Sequence, residues 1–451
     1  MKENSKITGI LLPLMLACTG CSSDSVVEVV PDRPESDSTE IQLPDDTQEE
    51  KYSGYETWAD TRSIDLTDAQ RHAVSGNNDF AFNLFRAVSQ SDGLREKSFA
   101  LSPLSVTYAL GMLNVGATGQ TSQEITSLLA FGAEDKEAVN DLCRQLIEEA
   151  PQVNNAVNLQ QANCVAIDKS LNLETAYQEK VSSDYYAEVA SLPFGSQESV
   201  DYINDWCNKH TNGMIPKLVE NLTGVLAIIN AIYFDAPWTH QFLLIKTQEE
   251  TFTKSDQTQQ RLPMMHEVYV YDYVQNDDYS AISMPYARGE NWKMYVLLPN
   301  AGKTVEDVVS GLTEASWNKT LKDFRECRQN GVPPMIDVKL PRFKTEASIE
   351  LNDIISQMGA PSMFLSRGEF AGIRSNYKDL LVSIIRQKSA IEVSEEGTTA
   401  AAATIIEMDG ANLDSDPVRP KAQFYANRPF IYLIQEASSG SIFFIGTYQG
   451  D

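Results

Sequence analysis

The last third of the chain alternates between apolar, strand-like segments and one stretch without large side chains. Residues 381–394 are rich in apolar and β-branched residues, which predicts a buried strand. Residues 431–434 and 441–448 form two further apolar segments, and the Ser-Ser-Gly sequence at 438–440 predicts a turn between them. These two segments therefore predict a hairpin at the end of the chain.

The stretch without large side chains begins directly after the first of these strands. Four alanines at 400–403 favour a helix, because Ala has the highest helix propensity. The β-branched residues on both sides favour a strand, and Gly397 weakens a helix start. Two interpretations remain open: an exposed Ala-rich loop or short helix, or a segment narrow enough to enter between two existing strands.

The order of these segments resembles the C-terminal third of a serpin: a hinge, a reactive-centre loop and a closing hairpin. The motifs Asn-Arg-Pro-Phe at 427–430 and Phe-Phe-Ile-Gly at 443–446 support this resemblance. Other serpin-like segments are 80–85, 101–105, 109–112, 116–121, 203–206, 211–215, 230–234, 263–266 and 340–343. The resemblance covers residues 66–451 and implies a single α+β domain with three β-sheets, eight to nine helices and an exposed reactive-centre loop.

The resemblance also implies roles for particular residues. The predicted hinge consists of Glu395, Glu396, Gly397, Thr398, Thr399, Ala400, Ala401, Ala402, Ala403 and Thr404. The predicted shutter consists of Ser102, Ser105, Asn230 and Gln387, and the predicted breach tryptophan is Trp238. Serpins often have a histidine where this chain has Gln387. Glutamine can donate to and accept from Asn230, Ser102 or Ser105, but it does not titrate near neutral pH.

Serpins trap a protease that cleaves their loop, and the freed hinge then inserts into the central sheet as a new strand. Thr398, Ala400, Ala402 and Thr404 form one alternating set of small, uncharged side chains. A charge at such a position would be buried unpaired, at a cost of several kcal/mol. We expect Gly397 to provide the backbone freedom that the hinge needs to turn. This composition favours a protease inhibitor over a non-inhibitory serpin.

The family register, counted from Gly397, places the reactive bond between Ala411 and Asn412. The chain from the hinge to Ala411 would span about 45 Å as a strand. Met408 and Leu413 are the alternative scissile residues. Alanine suits an elastase-like protease, whereas Met or Leu suits a protease with a larger apolar pocket. The predicted partner is therefore a serine protease, or alternatively a cysteine protease, held in a covalent complex.

The N-terminus has the pattern of an export signal. Lys2 and Lys6 precede an apolar segment at 7–16 that is too short to span a bilayer. The following residues resemble the lipobox of bacterial lipoproteins, with Cys21 as the predicted lipidated residue and Cys18 as the alternative. An ordinary secretory signal remains the other interpretation. The resemblance predicts a signal peptide at 1–21 and a lipid-anchored protein in the bacterial cell envelope.

Residues 22–65 follow the lipobox and are acidic, polar and interrupted by prolines. This composition cannot bury an apolar core, so we predict a disordered tether between the anchor and the serpin domain at 66–451. The formal net charge of −27 excludes nucleic acid as a partner, because its phosphates would repel the chain. The same charge disfavours anionic lipid surfaces, which leaves the lipid anchor as the means of membrane attachment.

The remaining cysteines and the histidines predict neither a metal site nor an enzyme. Cys143, Cys164, Cys207 and Cys327 are widely spaced, and we interpret them as small buried residues without assigning a disulfide. The four histidines are scattered, and no nucleophile elbow, zinc motif or P-loop occurs. We therefore expect no cofactor and a monomer. The alternative functions are a non-inhibitory serpin and a surface lipoprotein that acts as a binding module, for instance for a glycan.

Overall fold

The computed structural model describes residues 61–451 except 130–135, 330–333, 366–368, 375–379, 381, 383 and 399–420. The described residues form nine helices and three sheets, which confirms the predicted α+β architecture. The helices are α1 (Asp68–Ser89), α2 (Pro103–Gly116), α3 (Gly119–Leu128), α4 (Lys136–Glu149), α5 (Thr175–Tyr185), α6 (Gln197–His210), α7 (Val305–Gly311), α8 (Glu314–Gln329) and α9 (Asn352–Gln357). None of these described helices has both the length and the apolar character that crossing a membrane requires.

The strands have short apolar or alternating sequences, as the hydrophobic pattern predicts for sheets. They are β1 (Phe99–Leu101), β2 (Asn158–Asp168), β3 (Glu188–Leu192), β4 (Leu226–Pro237), β5 (Gln248–Thr253), β6 (Gln259–Val270), β7 (Asp272–Gln275), β8 (Tyr279–Tyr286), β9 (Trp292–Pro299), β10 (Met335–Pro341), β11 (Phe343–Glu350), β12 (Arg386–Val393), β13 (Gly397–Thr398), β14 (Lys421–Tyr425), β15 (Phe430–Glu436) and β16 (Ile442–Tyr448).

Three sheets organise these strands. The central sheet has the order β11-β12-β13-β4-β2-β3, and the core sheet has the order β1-β16-β15-β9-β8-β7. The small sheet has the order β14-β10-β6-β5, in which β14 and β10 run parallel. The predicted C-terminal hairpin corresponds to β15 and β16, which are buried at every position because they lie in the middle of the core sheet.

Helix α2 lies between the central sheet and the core sheet and contacts β4 and β16. Nearly all of its residues are buried, as expected for a helix that is apolar on every side. Ser102 caps its N-terminus by accepting from the Ser105 backbone N–H, and Pro103 occupies the first turn, where its missing N–H costs nothing. The predicted shutter serines are thus placed at the start of the most deeply buried helix.

The ordered fold begins before the predicted domain boundary at residue 66. Thr61 forms a bridge with Asn154, and the Arg62 N–H donates to the Val153 carbonyl oxygen at 2.9 Å. Ile64 is buried, with 2% of its surface exposed. Residues 61–65 therefore belong to the fold and not to the predicted tether. The reason is that the apolar side chain of Ile64 packs against the core.

Candidate functional site

A two-residue strand, β13, lies between β12 and β4 at one end of the central sheet. Thr398 of β13 pairs with Val393 of β12 on one side and with Ala236 of β4 on the other, and Gly397 pairs with Pro237. Over the rest of their lengths, β12 pairs with β11 and β4 pairs with β2 in the described part of the chain. We call the rest of the facing edges of β12 and β4, beyond the residues that pair with β13, the insertion site.

Backbone hydrogen bonds hold the start of the predicted hinge at this end of the sheet. The Trp238 N–H donates to the Glu396 carbonyl oxygen at 2.8 Å, and the Phe242 N–H donates to that of Glu395 at 2.9 Å. The Ser394 N–H donates to the Gly397 carbonyl oxygen at 2.8 Å and closes a tight turn. The turn directs the chain from the end of β12 back between β12 and β4.

In the described conformation, close packing makes Gly397 necessary. Its backbone does not lie in the left-handed region that favours glycine. A Cβ at this position would lie 2.1 Å from the Ala236 carbonyl oxygen and 2.8 Å from the Pro237 Cα. Because both atoms belong to the backbone of β4, they cannot move aside, and any side chain would separate β13 from β4.

Thr398 is a hinge residue whose side chain points into the fold. It is completely buried, and its hydroxyl forms a hydrogen bond with the hydroxyl of Tyr286. Burial raises the pKa of Tyr286 well above its ordinary value, so this phenol stays neutral. The small, uncharged side chain predicted for an inserting position therefore occupies a buried pocket.

Trp238 lies over the same pocket. Its ring stacks on Tyr286 with 4.4 Å between ring centroids and 11° between planes. Its indole N–H donates to the Ser394 carbonyl oxygen at 2.9 Å. The predicted breach residue thus contacts the hinge through its backbone, and the residue before the hinge through its side chain.

Glu395 is fixed by two residues to which the sequence analysis assigned no role. Arg342 donates to both of its carboxylate oxygens, at 3.0 and 2.6 Å, and the Thr247 hydroxyl donates to it at 2.7 Å. Burial alone would raise the pKa of Glu395, but the hydrogen bonds from Arg342 and Thr247 outweigh burial and lower it. Arg342 is part of the serpin-like segment 340–343, and its charge was the only sequence signal for this pairing.

Within the predicted shutter, Gln387 contacts Ser102. The Gln387 side chain accepts from the Ser102 N–H at 3.2 Å and donates to the Ser102 carbonyl oxygen at 2.6 Å. The Ser105 hydroxyl donates to the Ser102 hydroxyl at 3.0 Å. The Ser389 hydroxyl donates to the Ala100 carbonyl oxygen at 2.6 Å, a second hydrogen bond between β12 and the chain around Ser102. The sequence analysis did not single out Ser389.

Asn230 does not take part in this contact in the described conformation. Its side-chain amide donates to Asn163 Oδ1 at 2.9 Å, which turns it towards β2 and away from Gln387. Its Oδ1 atom is buried and lacks a hydrogen-bond partner among the described residues. Instead of bonding each other, these two side chains have separate partners. Gln387 of β12 bonds Ser102 on one side of the insertion site, and Asn230 of β4 bonds Asn163 on the other.

Several predicted site residues lie outside the described residues. They are Thr399, Ala400, Ala401, Ala402, Ala403 and Thr404 of the hinge, Met408, Ala411, Asn412 and Leu413 of the reactive bond, and Cys21 of the lipobox. Cys143, Cys164 and Cys207 are buried as free thiols, and Cys327 is free and partly exposed. Among the described residues, no cluster of His, Cys, Asp or Glu could hold a metal ion.

Comparison with known proteins relates this geometry to one family. Residues 75–449 match the sequence model described as "Serpin (serine protease inhibitor)". An uncharacterized serpin-like protein of Thermococcus kodakarensis is 32% identical over 397 residues, which cover 87% of this chain and 89% of that protein. The leukocyte elastase inhibitor of Equus caballus is 30% identical over 386 residues, which cover 83% of this chain and 98% of that protein.

Solved structures with the same fold include a thermophilic serpin, Tengpin, in its native state. It has a TM-score of 0.74 and 24% identity, and the match covers 87% of this chain and 96% of that chain. Human thyroxine-binding globulin in complex with its hormone has a TM-score of 0.73 and 26% identity, and the match covers 84% of this chain and 98% of that chain. With its three sheets, its short hinge strand and a family match over residues 75–449, this chain belongs to the serpin family.

Proposed function

We propose that this serpin is a suicide inhibitor that traps serine proteases by inserting its cleaved loop into the central sheet. A protease would attack the bond after Ala411, or after Met408 or Leu413, and form an acyl-enzyme. The freed segment from Thr399 onward would then extend β13 along the insertion site and carry the attached protease with it.

The observation that carries this proposal is the position of β13. Gly397 and Thr398 pair with β4, and Thr398 also pairs with β12, so the described start of the predicted hinge is aligned between the two strands that would receive the loop. The next residues continue the set of small, uncharged side chains, so they can occupy the same position without burying a charge. A serpin used only for binding would have no need of such a composition.

The proposed targets are proteases of elastase-like or other apolar specificity. Ala411, Met408 and Leu413 all lack charge, and the acidic residues nearby, Asp409 and Asp414, disfavour proteases with acidic substrate clefts. The similarity to the leukocyte elastase inhibitor of Equus caballus is consistent with this choice. We propose that the inhibitor acts as a monomer.

We also propose that the protein is a lipoprotein of the bacterial cell envelope, anchored through Cys21. The support is the short apolar segment and lipobox-like sequence that precede this residue. Wild-type protein should partition into the detergent phase of a Triton X-114 extract, whereas Cys21→Ser should remain in the aqueous phase. Equal partitioning of the two proteins would contradict lipidation of Cys21.

Incubation with elastase-, chymotrypsin- and trypsin-type proteases, followed by denaturing electrophoresis, tests the inhibitory function. We expect a band at the summed mass of inhibitor and protease that survives boiling in detergent, strongest for the elastase-type enzyme. The released C-terminal peptide identifies the reactive bond, because cleavage after Ala411 gives a fragment that begins with Asn412. Cleavage of the loop without loss of any protease activity would refute inhibition and favour a binding role.

A further inference from the structure

An exposed apolar patch lies on the connection between β4 and β5 and on the adjoining part of β6, beside the hinge. Leu244 is 68% exposed and Ile245 is 88% exposed, while Leu243 and Tyr269 are each 42% exposed. These four side chains constitute what we call the apolar patch. Large apolar side chains that are exposed together mark a contact surface more often than single exposed residues do.

The apolar patch is held in place by contacts on both sides. The Lys246 ammonium binds the Glu267 carboxylate at 3.0 Å, and the His240 ring stacks on Tyr269 with 3.6 Å between ring centroids. Glu267 and Tyr269 are two residues apart on β6 and therefore lie on the same face of the small sheet. The connection is thus fixed against one face of β6, with Leu244 and Ile245 turned to solvent.

The apolar patch also lies next to both ends of the segment that carries the reactive bond. At the entry, the Gln241 side chain donates to the Glu396 carbonyl oxygen at 3.3 Å, only two residues before Thr398. At the exit, Lys421 pairs with Met335, which pairs with Val270, the residue after Tyr269. Two strand spacings place Lys421 about 10 Å from Val270.

The described residues that flank the segment 399–420, Thr398 and Lys421, therefore lie near the apolar patch. A protein that binds this segment is tethered to the fold at these two points. The charges of Lys246 and Glu267 offset each other, and the exposed side chains of the patch itself are uncharged, so the surface suits an apolar partner.

We propose that the apolar patch is a second contact surface for the target serine protease, and that it binds an apolar area beside the protease's active-site cleft. This inference rests on the proposed function, because the partner is the protease that attacks the loop. Contact there would slow dissociation of the non-covalent encounter complex and so give acylation more time. It would not alter what happens after acylation, which depends on the hinge.

The test uses the full-length double variant Leu244→Ser/Ile245→Ser, which removes apolar surface without adding charge. Leu365→Ser is the matched control, since Leu365 is 57% exposed and lies outside the patch. With the protease that wild type traps fastest, we expect the double variant to lower the second-order rate constant of inhibition about tenfold, the scale of losing one buried apolar side chain. The number of inhibitor molecules consumed per protease should stay unchanged, and the control should match wild type.

Three results would overturn the inference. Equal rate constants for wild type and the double variant would show that the patch does not contact the protease. An equal decrease of the rate constant in the Leu365→Ser control would show that the effect is not specific to the patch. A wild-type dimer that becomes monomeric in the double variant, measured by light scattering, would assign the patch to a second copy of this chain. A wild-type protein that traps no protease would refute the proposed function itself, and this inference with it.

Discussion

The guanidinium of Arg342 binds both carboxylate oxygens of Glu395, at 3.0 and 2.6 Å. Arg342 sits at the junction between β10 of the small sheet and β11 of the central sheet. Glu395 is the second residue after β12 and the first acidic residue of the predicted hinge. This ion pair therefore fastens the start of the hinge to the point where two sheets meet.

We expect Arg342→Met to destabilise the native protein. The substitution leaves the buried Glu395 carboxylate without its main donor, which costs about 1–3 kcal/mol. Arg342→Lys is the control, because it keeps the charge but loses the two-point geometry, and it should lose less stability. Thermal unfolding at pH 7 measures both variants. Identical melting temperatures for wild type and Arg342→Met would contradict a stabilising role for the pair.

The lowered pKa of Glu395 predicts how this stabilisation depends on pH. A carboxyl group with a lower pKa in the folded state stabilises the fold above its unfolded pKa of about 4.3, and loses that effect as the pH falls through its folded pKa. Wild type should therefore be more stable than Glu395→Gln at pH 7, and the difference should shrink as the pH falls below about 4. Melting curves of both proteins from pH 7 to pH 3 measure this, and a constant difference would contradict it.

We expect Gly397→Ala to weaken inhibition and to destabilise the end of the central sheet. The new methyl group would meet the Ala236 carbonyl oxygen at 2.1 Å, so β13 must move away from β4. Overpacking of this kind costs about 1–3 kcal/mol. Gly93→Ala is the control, because no atom lies within 4 Å of its added Cβ. Titration of a trapped protease should show more inhibitor consumed per protease for Gly397→Ala alone, and equal values would contradict the packing constraint.

We expect Thr398→Arg to convert the inhibitor into a substrate. Thr398 is completely buried beside Tyr286, so an arginine there could remain only by burying an unpaired charge at a cost of several kcal/mol. Thr398→Ser keeps the hydroxyl and should still inhibit. Denaturing electrophoresis should show continued loop cleavage by the protease with little covalent complex for Thr398→Arg. Undiminished complex formation would mean that trapping does not require a small, uncharged side chain at position 398.

Cleavage of the loop should stabilise the protein. In the described part of the chain, β12 and β4 pair on one side only below β13, and an inserted strand would supply the missing partner. About ten new backbone hydrogen bonds, each worth about 0.5–1.5 kcal/mol, would raise the melting temperature by tens of degrees. Thermal melts of intact and loop-cleaved protein at equal concentration measure this change. Coincident curves would leave insertion without support.

The sequence by itself was enough to predict the architecture, through its closing hairpin and its resemblance to serpins. The closing hairpin is evident because β15 and β16 are apolar throughout, with a Ser-Ser-Gly turn at 438–440 between them. The run of small residues after a strand left a loop, a short helix or an inserting segment open, and the resemblance to serpins favoured the last. The hairpin is a local feature, which local periodicity expresses directly.

Only the tertiary structure decided which residues contact the hinge. Arg342 and Glu395 are 53 positions apart, and among 63 acidic residues the charge of Arg342 could not select its partner. Gln387 could have bonded Asn230 or Ser102, and it bonds the Ser102 backbone because β1, which ends directly before Ser102, packs against β12. Gly397 suggested a flexible turn, whereas the approach of β4 made it a packing requirement. Such choices depend on which strands become neighbours, and the hydrophobic pattern of one segment carries no information about the atoms of another.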